Sequence, residues 1–280
     1  MTVEEIRVSR GWLGLREPAD AAARSPDLVE HLRRRLPATG RLAIHDLGCG
    51  TGAMGRWLAP QLPGRQQWVC HDRDPDLLEV AAAAPPGAAA DGAAVTVEAR
   101  QSDITWLQPG DLAGATLITA SALLDILTSD ELARLVGVCA GAGCPALFTL
   151  SVVGRVDLTP ADPLDSRVAA AFDAHQRRTT ARDRLLGPDA VAGAVAGFSR
   201  AGADVLVRPS PWRLGALEAD LTAEWFTGWL DAACEQQVEL AAETEDYARR
   251  RLAEATAGTL AVTVHHADLL VLPRLDRTCG

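Results

Sequence analysis

The densest group of residues that could do chemistry is a glycine-rich turn, Asp46-Leu47-Gly48-Cys49-Gly50-Thr51-Gly52. It follows an apolar run typical of a buried strand and precedes a segment typical of a helix. Glycine lets the backbone turn sharply and lets a ligand approach without a clash against a Cβ atom. The start of the following helix offers unpaired N–H groups at the positive end of the helix dipole. The turn therefore predicts a binding site for a polar ligand.

Two further carboxylates indicate that this ligand contains a nucleoside. Asp72 lies twenty residues after Gly52, at the end of the next apolar run, where it can accept both hydroxyls of a ribose. Asp103, followed by Ile104, comes after a third run and places a carboxylate beside the adenine position. A loose dinucleotide pattern, Gly48-x-Gly50-x-x-Ala53, fits the same turn. An NAD(P)-dependent oxidoreductase is therefore an open alternative.

Strands and helices alternate around these motifs. The predicted strands are Arg41–Leu47, Gln67–His71, Val95–Arg100, Ala115–Ala120, Cys144–Val153, Ala203–Arg208 and Leu260–Leu272. The predicted helices between them include Ala53–Leu62, Pro75–Ala84, Ser129–Ala140, Asp165–Thr180 and a long stretch over Thr222–Ala257. This alternation predicts a parallel sheet with helices on both faces.

The chain is predicted to form a single domain over residues 1–280. Its parts are an N-terminal helical lid (1–38), a cofactor-binding half (40–153), two helical cap insertions (154–202 and 209–258) and a last strand (259–272).

The motifs resemble those of the class I S-adenosylmethionine-dependent methyltransferases. Asp46 and the three glycines match the first motif of that family, Asp72 matches its ribose-binding acid, and Asp103 with Ile104 matches its adenine-side motif. The resemblance implies S-adenosylmethionine as the cofactor. It also implies a Rossmann-like α/β fold with seven strands in the order 3-2-1-4-5-7-6, in which strand 7 is antiparallel.

The fourth predicted strand and the N-terminal helix extend the resemblance. Residues 115–127 are similar to the family's fourth-strand motif, which implies a cofactor contact at Ser121. The family's usual histidine pair is replaced by Leu124 and Asp125, so no catalytic residue carries over. Arg16 lies in the segment that often closes over the cofactor's carboxylate, although a surface ion pair is an equal alternative.

Candidates for catalysis and for binding the methyl acceptor lie mostly in the late insertions. His175 could be a base near neutral pH, and Asp125 could orient the acceptor. Arg178, Trp212 and Arg213 could bind the acceptor. A solvated helix face, a helix end and structural packing are the competing interpretations.

Composition limits the remaining choices. The chain has a net charge of −10 and contains neither Lys nor Asn. Without Lys there is no Schiff-base chemistry, and without Asn there is no Asp-Asp-Asn magnesium site of the catechol methyltransferase type, so no metal is predicted. The acidic balance disfavours nucleic acid as a partner.

The six cysteines have no CxxC spacing, and the acidic N-terminal residues contain no long apolar run. We therefore predict a cytoplasmic monomer or homodimer that does not bind membranes, with free thiols. The predicted activity is in-line methyl transfer to a small-molecule acceptor (EC 2.1.1). The alternatives are the oxidoreductase and a cofactor-binding relative that has lost catalysis.

Overall fold

The computed structural model describes residues 8–37 and 40–274. Its strands are β1 (Arg41–Leu47), β2 (Arg65–Asp72), β3 (Val95–Gln101), β4 (Leu117–Ser121), β5 (Ala146–Thr159), β6 (Ala203–Pro209), β7 (Trp212–Leu214) and β8 (Ala261–Pro273). Its helices are α1 (Arg10–Ala23), α2 (Pro26–Arg33), α3 (Ala53–Leu58), α4 (Pro75–Ala83), α5 (Ser129–Ala142), α6 (Asp165–Gln176), α7 (Ala190–Arg200), α8 (Ala219–Gln236), α9 (Val238–Glu243) and α10 (Glu245–Thr256).

The strands form one sheet in the order β3-β2-β1-β4-β5-β8-β6. The first five strands are parallel, and β8 runs antiparallel between β5 and β6. The predicted α/β fold and strand order are confirmed, with β8 in the place of strand 7. In such a sheet, ligands bind at the carboxyl ends of the strands where the strand order reverses, which here lies between β1 and β4.

The structure also contains a strand that the sequence analysis did not predict. β7 lies in the region predicted as a helical insertion, and it pairs with β8 at Trp212↔Val264. The predicted helix begins only at Thr222, and before it Trp212 and Leu214 are buried while Arg213 is exposed, an alternation with a period of two that suits a strand.

Several helix boundaries also differ from the prediction; α3, for example, ends at Leu58 instead of Leu62. α5 ends at Ala142 instead of Ala140, and Thr128 caps its start, because the Thr128 side chain accepts from the Glu131 N–H while the Glu131 carboxylate accepts from the Thr128 N–H. The helix that starts at Asp165 ends at Gln176 instead of Thr180. The long stretch after residue 219 is divided into α8, α9 and α10.

The N-terminal helices are placed over the carboxyl ends of the strands. Ser9 caps α1, and Trp12, Leu15, Ala19 and Ala23 recur on one helix face. That face packs on an apolar cluster built mainly from α6, α8, β5 and β8. On another side of α1, Glu17 forms a bidentate ion pair with Arg56 of α3, with N···O distances of 2.7 and 2.6 Å. These contacts place α1 across the strand ends.

Two further observations concern the whole chain. No helix in the described ranges combines the length and the apolar character needed to cross a membrane. Five of the six cysteines are free thiols, and the sixth, Cys279, lies outside the described residues, as do residues 1–7 of the predicted lid.

Candidate active site

A cavity of about 280 Å³ lies at the carboxyl ends of β1, β2 and β4. It brings together most of the site residues predicted from the sequence. Those that line it are Asp46, Gly48, Gly50, Asp72, Asp103, Ile104, Ser121 and Arg16. Gly52 is next to it, as the N-cap residue of α3 with φ +83°.

The glycine-rich turn adopts a conformation that L-residues rarely adopt. Gly48 and Gly50 have φ angles of +63° and +54°. A Cβ atom at Gly50 would also lie 3.2 Å from the Cδ1 atom of Leu13 on α1. Glycine is therefore required here both by the backbone conformation and by the close approach of α1.

Asp72 holds this turn in place while it lines the cavity. Its Oδ2 accepts the N–H of Gly50 at 2.8 Å, and its Oδ1 accepts the N–H of Asp74 at 3.0 Å. Two backbone bonds thus fix the orientation of the carboxylate before any ligand binds.

The adenine-side residues are ordered in a similar way. Asp103 accepts from the N–H and the hydroxyl of Thr105, at 2.9 and 2.7 Å. Ser102 lines the cavity, and its Oγ lies 3.0 Å from Nδ1 of His71. Burial lowers the pKa of His71 to about 4, so this imidazole is neutral at pH 7 and serves as a hydrogen-bonding support.

Asp46 is the most perturbed carboxyl group in the cavity. It is 1% exposed, and its Oδ1 accepts the Thr119 hydroxyl at 2.7 Å. Burial raises the pKa of Asp46 to about 7, against a partial lowering by that hydrogen bond and by the charge of Arg24. Its Oδ2 has no hydrogen-bond partner among residues 8–37 and 40–274.

Arg24 is a cavity residue that the sequence analysis missed. It follows α1 and is 3% exposed, and its Nη2 donates to Ser121 Oγ at 3.1 Å. Its Nη1 is buried and finds no partner within the described part of the chain. Arg24 and Asp46 therefore line the same cavity, and each has one buried polar atom without a hydrogen bond to any described residue. The unpaired atom of Arg24 is a donor and that of Asp46 is an acceptor.

Backbone strain marks the same corner of the site. Ala122, directly after β4, has a φ of +50°, and Leu150 in β5 has a φ of +58°. Asp268 stabilises the second of these, because its Oδ1 accepts the Leu150 N–H at 2.8 Å while its Oδ2 accepts the Ser25 N–H at 2.8 Å. Left-handed non-glycine residues cluster at functional sites, where the surrounding structure holds them in place.

Part of the chain that forms the cavity is similar in sequence to a known protein family. Residues 44–143 match the sequence model of a family described as a methyltransferase domain. This match covers β1 to α5, which contain the glycine-rich turn and the carboxylates of the cavity.

Residues 44–143 are therefore similar to a methyltransferase domain, in agreement with the motifs that resemble the class I S-adenosylmethionine-dependent methyltransferases. S-adenosylmethionine is accordingly its cofactor.

Solved structures resemble the chain in fold. A cyclopropane-fatty-acyl-phospholipid synthase-like protein from Lactobacillus casei is 14% identical, with a TM-score of 0.53 over 97% of this chain and 96% of that one. A cyclopropane synthase from Mycobacterium tuberculosis is 13% identical, with a TM-score of 0.49 over 94% of each chain. A methyltransferase from Geobacter sulfurreducens, solved with S-adenosyl-L-homocysteine, is 13% identical, with a TM-score of 0.42 over 96% of this chain and 100% of that one. No curated protein matches the sequence.

Arg16 lines the cavity, but two of its three guanidinium nitrogens already donate to a carboxylate. Nε and Nη2 donate to the Asp20 carboxylate at 3.0–3.2 Å, and the guanidinium carbon lies 5.0 Å from the centre of the Trp212 ring. Trp212 itself is 3% exposed and does not line the cavity, so it does not form the pocket wall considered above. It packs beneath Arg16 and donates its Nε1–H to Asp20 at 3.0 Å.

The remaining candidates for catalysis and acceptor binding lie away from the cavity. His175 contacts Glu235 at 3.2 Å, and Arg178 donates to the backbone carbonyl of His175. Arg213 is exposed on β7. Asp125 belongs to the turn after β4 and does not line the cavity; the residue is half-buried, and its Oδ1 is buried without a partner among the described residues. None of these four lines the cavity: His175 and Arg178 lie at the end of α6, Arg213 is on β7, and Asp125 follows β4.

Proposed function

We propose that this protein transfers the methyl group of S-adenosylmethionine to a small-molecule acceptor, and that Arg24 and Asp46 hold the amino-acid part of the cofactor. The observation that carries the proposal is that Nη1 of Arg24 and Oδ2 of Asp46 are both buried in the cavity without a hydrogen-bond partner in the described residues. An α-amino acid presents one carboxylate and one ammonium group. The spare Nη1 of Arg24 suits the first, and the spare Oδ2 of Asp46 suits the second.

The other cavity residues fit the nucleoside part. The carboxylate of Asp72 is held by two backbone N–H groups and is suited to ribose hydroxyls, and Asp103 with Ile104 is suited to the adenine side. The positive φ angles of Gly48 and Gly50 keep side chains out of the space between them. Each part of the cofactor therefore has a matching group in the cavity.

When bound, S-adenosylmethionine supplies a methyl group activated by a sulfonium charge. The protein's contribution is then alignment and exclusion of water, which together lower the barrier to displacement. α1 contributes the cover, because it lies across the strand ends and is fixed by Glu17 to Arg56. A general base is needed only if the acceptor has to lose a proton during transfer.

The small-molecule acceptor is supported by the size of the site. A cavity of about 280 Å³ is slightly smaller than the usual range for ligand pockets, roughly 300–1,000 Å³. A site that must also hold the cofactor beneath α1 leaves room for a small group only. The net charge of −10 is a further argument against a nucleic-acid acceptor.

Release of S-adenosylhomocysteine tests the acceptor class. Purified protein would be incubated with S-adenosylmethionine and, separately, with pooled small molecules, bulk RNA and DNA, or bulk protein. We expect release above background only with small-molecule pools. Release with nucleic acid or protein alone would contradict the proposal.

Asp72→Ala is expected to weaken S-adenosylhomocysteine binding by about 1–3 kcal/mol, because ribose hydroxyls would lose a charged partner. The Gly50 N–H would lose its acceptor as well. Isothermal titration calorimetry measures the effect, with the exposed Asp76→Ala as a matched carboxylate control. An affinity equal to that of the wild type would show that a different carboxylate holds the ribose.

A further inference from the structure

One part of the cavity wall is not used by the residues proposed to hold the cofactor. It consists of Trp12 and Arg16 on α1 and of Leu123, Ile126 and Leu127 after β4. Arg16 is the single charged residue in this group, and the others are apolar or aromatic. The turn after β4 also contains the strained residue Ala122. We refer to these five residues as the Arg16 wall.

Arg16 is held in one orientation by its surroundings. Its Nε and Nη2 donate to Asp20, and its guanidinium stacks on Trp212. Asp20 is 5% exposed, so the pair is largely shielded from solvent. Nη1 has no partner among the residues that the structure describes. A guanidinium fixed in this way is a preorganised donor for an anion.

No carboxylate lines the Arg16 wall itself, although Oδ1 of the neighbouring Asp125 is buried without a partner in the described part of the chain. Asp20 already accepts three hydrogen bonds from Arg16 and one from Trp212. Asp125 faces Arg16 electrostatically, but its carboxyl does not line the cavity, and burial raises the pKa of Asp125, which favours the neutral form. Arg182 also lines the cavity, and its Nη1 donates to Glu131 at 2.8 Å. The Arg16–Asp20 and Arg182–Glu131 pairs are each formally neutral, so an anion would be bound here through the Nη1 N–H groups of Arg16, which are unpaired in the described ranges, rather than through net charge.

Arg24 is better placed than Arg16 for the carboxylate of the cofactor. Arg24 bonds to Ser121 and lies near Asp46, at the strand ends. Arg16 is eight residues earlier in the same helical segment, which separates the two Cα atoms by about 12 Å along the axis. The second arginine therefore remains for a second ligand.

We infer that the methyl acceptor carries an oxyanion group, a carboxylate or a phosphate, which Nη1 of Arg16 binds, and an apolar body that packs against Trp12 and Leu127. This rests on the proposed function, because it assigns Arg24 and Asp46 to the cofactor. It goes beyond that function in naming the chemical class of the acceptor and the residue that selects it.

The test uses matched probes on the full chain loaded with S-adenosylhomocysteine. Phenylacetate is compared with phenylacetamide, and phenyl phosphate with phenol, by calorimetric titration. We expect each anion to bind about tenfold or more tightly than its neutral match, the ratio that one charge-assisted hydrogen bond supplies. The anion that binds more tightly, phenylacetate or phenyl phosphate, shows whether the site prefers a carboxylate or a phosphate. Equal binding within each pair, or no binding of any probe to the loaded protein, would overturn the inference.

Variants separate Arg16 from Arg24. In Arg16→Gln the preference for the anionic probes should disappear while the affinity for S-adenosylhomocysteine stays within about twofold of the wild type. Arg16→Lys keeps a charge and should retain part of the preference. Arg34→Gln, an exposed arginine paired with Glu30, is the matched control. A loss of S-adenosylhomocysteine binding in Arg16→Gln would assign Arg16 to the cofactor and overturn the inference.

Two further arms keep the outcomes distinct. If Arg16→Gln does not fold, the double variant Arg16→Gln/Asp20→Asn removes both charges of the pair and takes its place. If wild-type protein fails to bind S-adenosylhomocysteine, the proposed function fails. If it binds that molecule but does not distinguish anionic from neutral probes, only the inference about the acceptor fails.

Discussion

Arg24→Gln is expected to weaken S-adenosylhomocysteine binding by about 3 kcal/mol, a hundredfold or more. The reason is that the carboxylate of the ligand would be buried without its cation. In the protein alone, the same change removes a guanidinium whose Nη1 is buried without a partner in the described ranges. The same guanidinium also donates to Ser121 and Thr149 and lies near the buried carboxyl groups of Asp46 and Asp268. The unliganded variant should therefore unfold below the wild-type temperature, which differential scanning calorimetry would measure.

The control for this prediction is a surface arginine. Arg34→Gln removes the same charge from an exposed position in the turn after α2 and should leave the affinity unchanged. Net charge is then matched between the two variants. A similar affinity in Arg24→Gln and Arg34→Gln would show that Arg24 does not hold the cofactor.

Asp46→Asn is expected to have opposite effects on stability and on binding. Burial raises the pKa of Asp46 from the usual 3.8 to about 7, so the folded protein binds this proton more tightly than the unfolded chain does. The free energy of unfolding therefore falls as the pH rises from about 4 to 7, by about 4 kcal/mol from this group. Asn is neutral throughout. Above pH 7 the unliganded variant should be more stable than the wild type by up to that amount, and near pH 4 the difference should vanish.

Binding should depend on pH through the same group. The ionised form of Asp46 is the one that meets an ammonium group, so wild-type affinity for S-adenosylhomocysteine should fall up to about tenfold per pH unit below pH 7. Asp46→Asn should bind more weakly and show little pH dependence between pH 6 and 8. His71 and His266, whose pKa values burial lowers to about 4 and about 3, do not titrate in that window.

Urea unfolding at pH 4 and pH 8, with titrations at pH 6, 7 and 8, provides the measurements. A functional residue that costs stability in the free protein is a common trade-off. This account of Asp46 would be contradicted if Asp46→Asn were less stable than the wild type at pH 8. It would also be contradicted if the variant bound S-adenosylhomocysteine as tightly as the wild type and with the same pH dependence.

The cofactor side of the site could be predicted because its signals are local in sequence. A turn such as Gly48-Cys49-Gly50 needs positive φ angles, and positive φ angles need glycine whatever the rest of the fold does. Asp72 and Asp103 follow strands, and the carboxyl ends of parallel strands meet at one edge of the sheet. The alternation of strands and helices is enough to place these residues side by side.

The acceptor side could not be predicted because it depends on how helices cross the sheet. Arg16 and Arg24 lie in one helical segment, and only the packing of Trp12, Leu15 and Ala19 decides which of them reaches the strand ends. No sequence pattern fixes that crossing. The nearest thing to a sequence signal is the position of Arg24 just before the Ser25-Pro26 helix start. Many surface arginines occupy the same kind of position, so it does not identify a buried one.

The late insertions show the same difficulty. Trp212 was a reasonable candidate for a pocket wall, since an aromatic residue after a strand can line a site. In the structure β7 places it beneath Arg16, where it orients the guanidinium. His175 lies on the predicted helix, but the helix packs so that its ring meets Glu235. Tertiary packing decides which face of an insertion meets the site.

Parallel calorimetric titrations with S-adenosylhomocysteine and NADH test the central claim most directly. The claim is that the cavity bounded by Asp46, Asp72 and Arg24 holds S-adenosylmethionine. We predict micromolar binding of S-adenosylhomocysteine and no binding of NADH. Binding of NADH alone would contradict the account and favour the dinucleotide pattern Gly48-x-Gly50-x-x-Ala53.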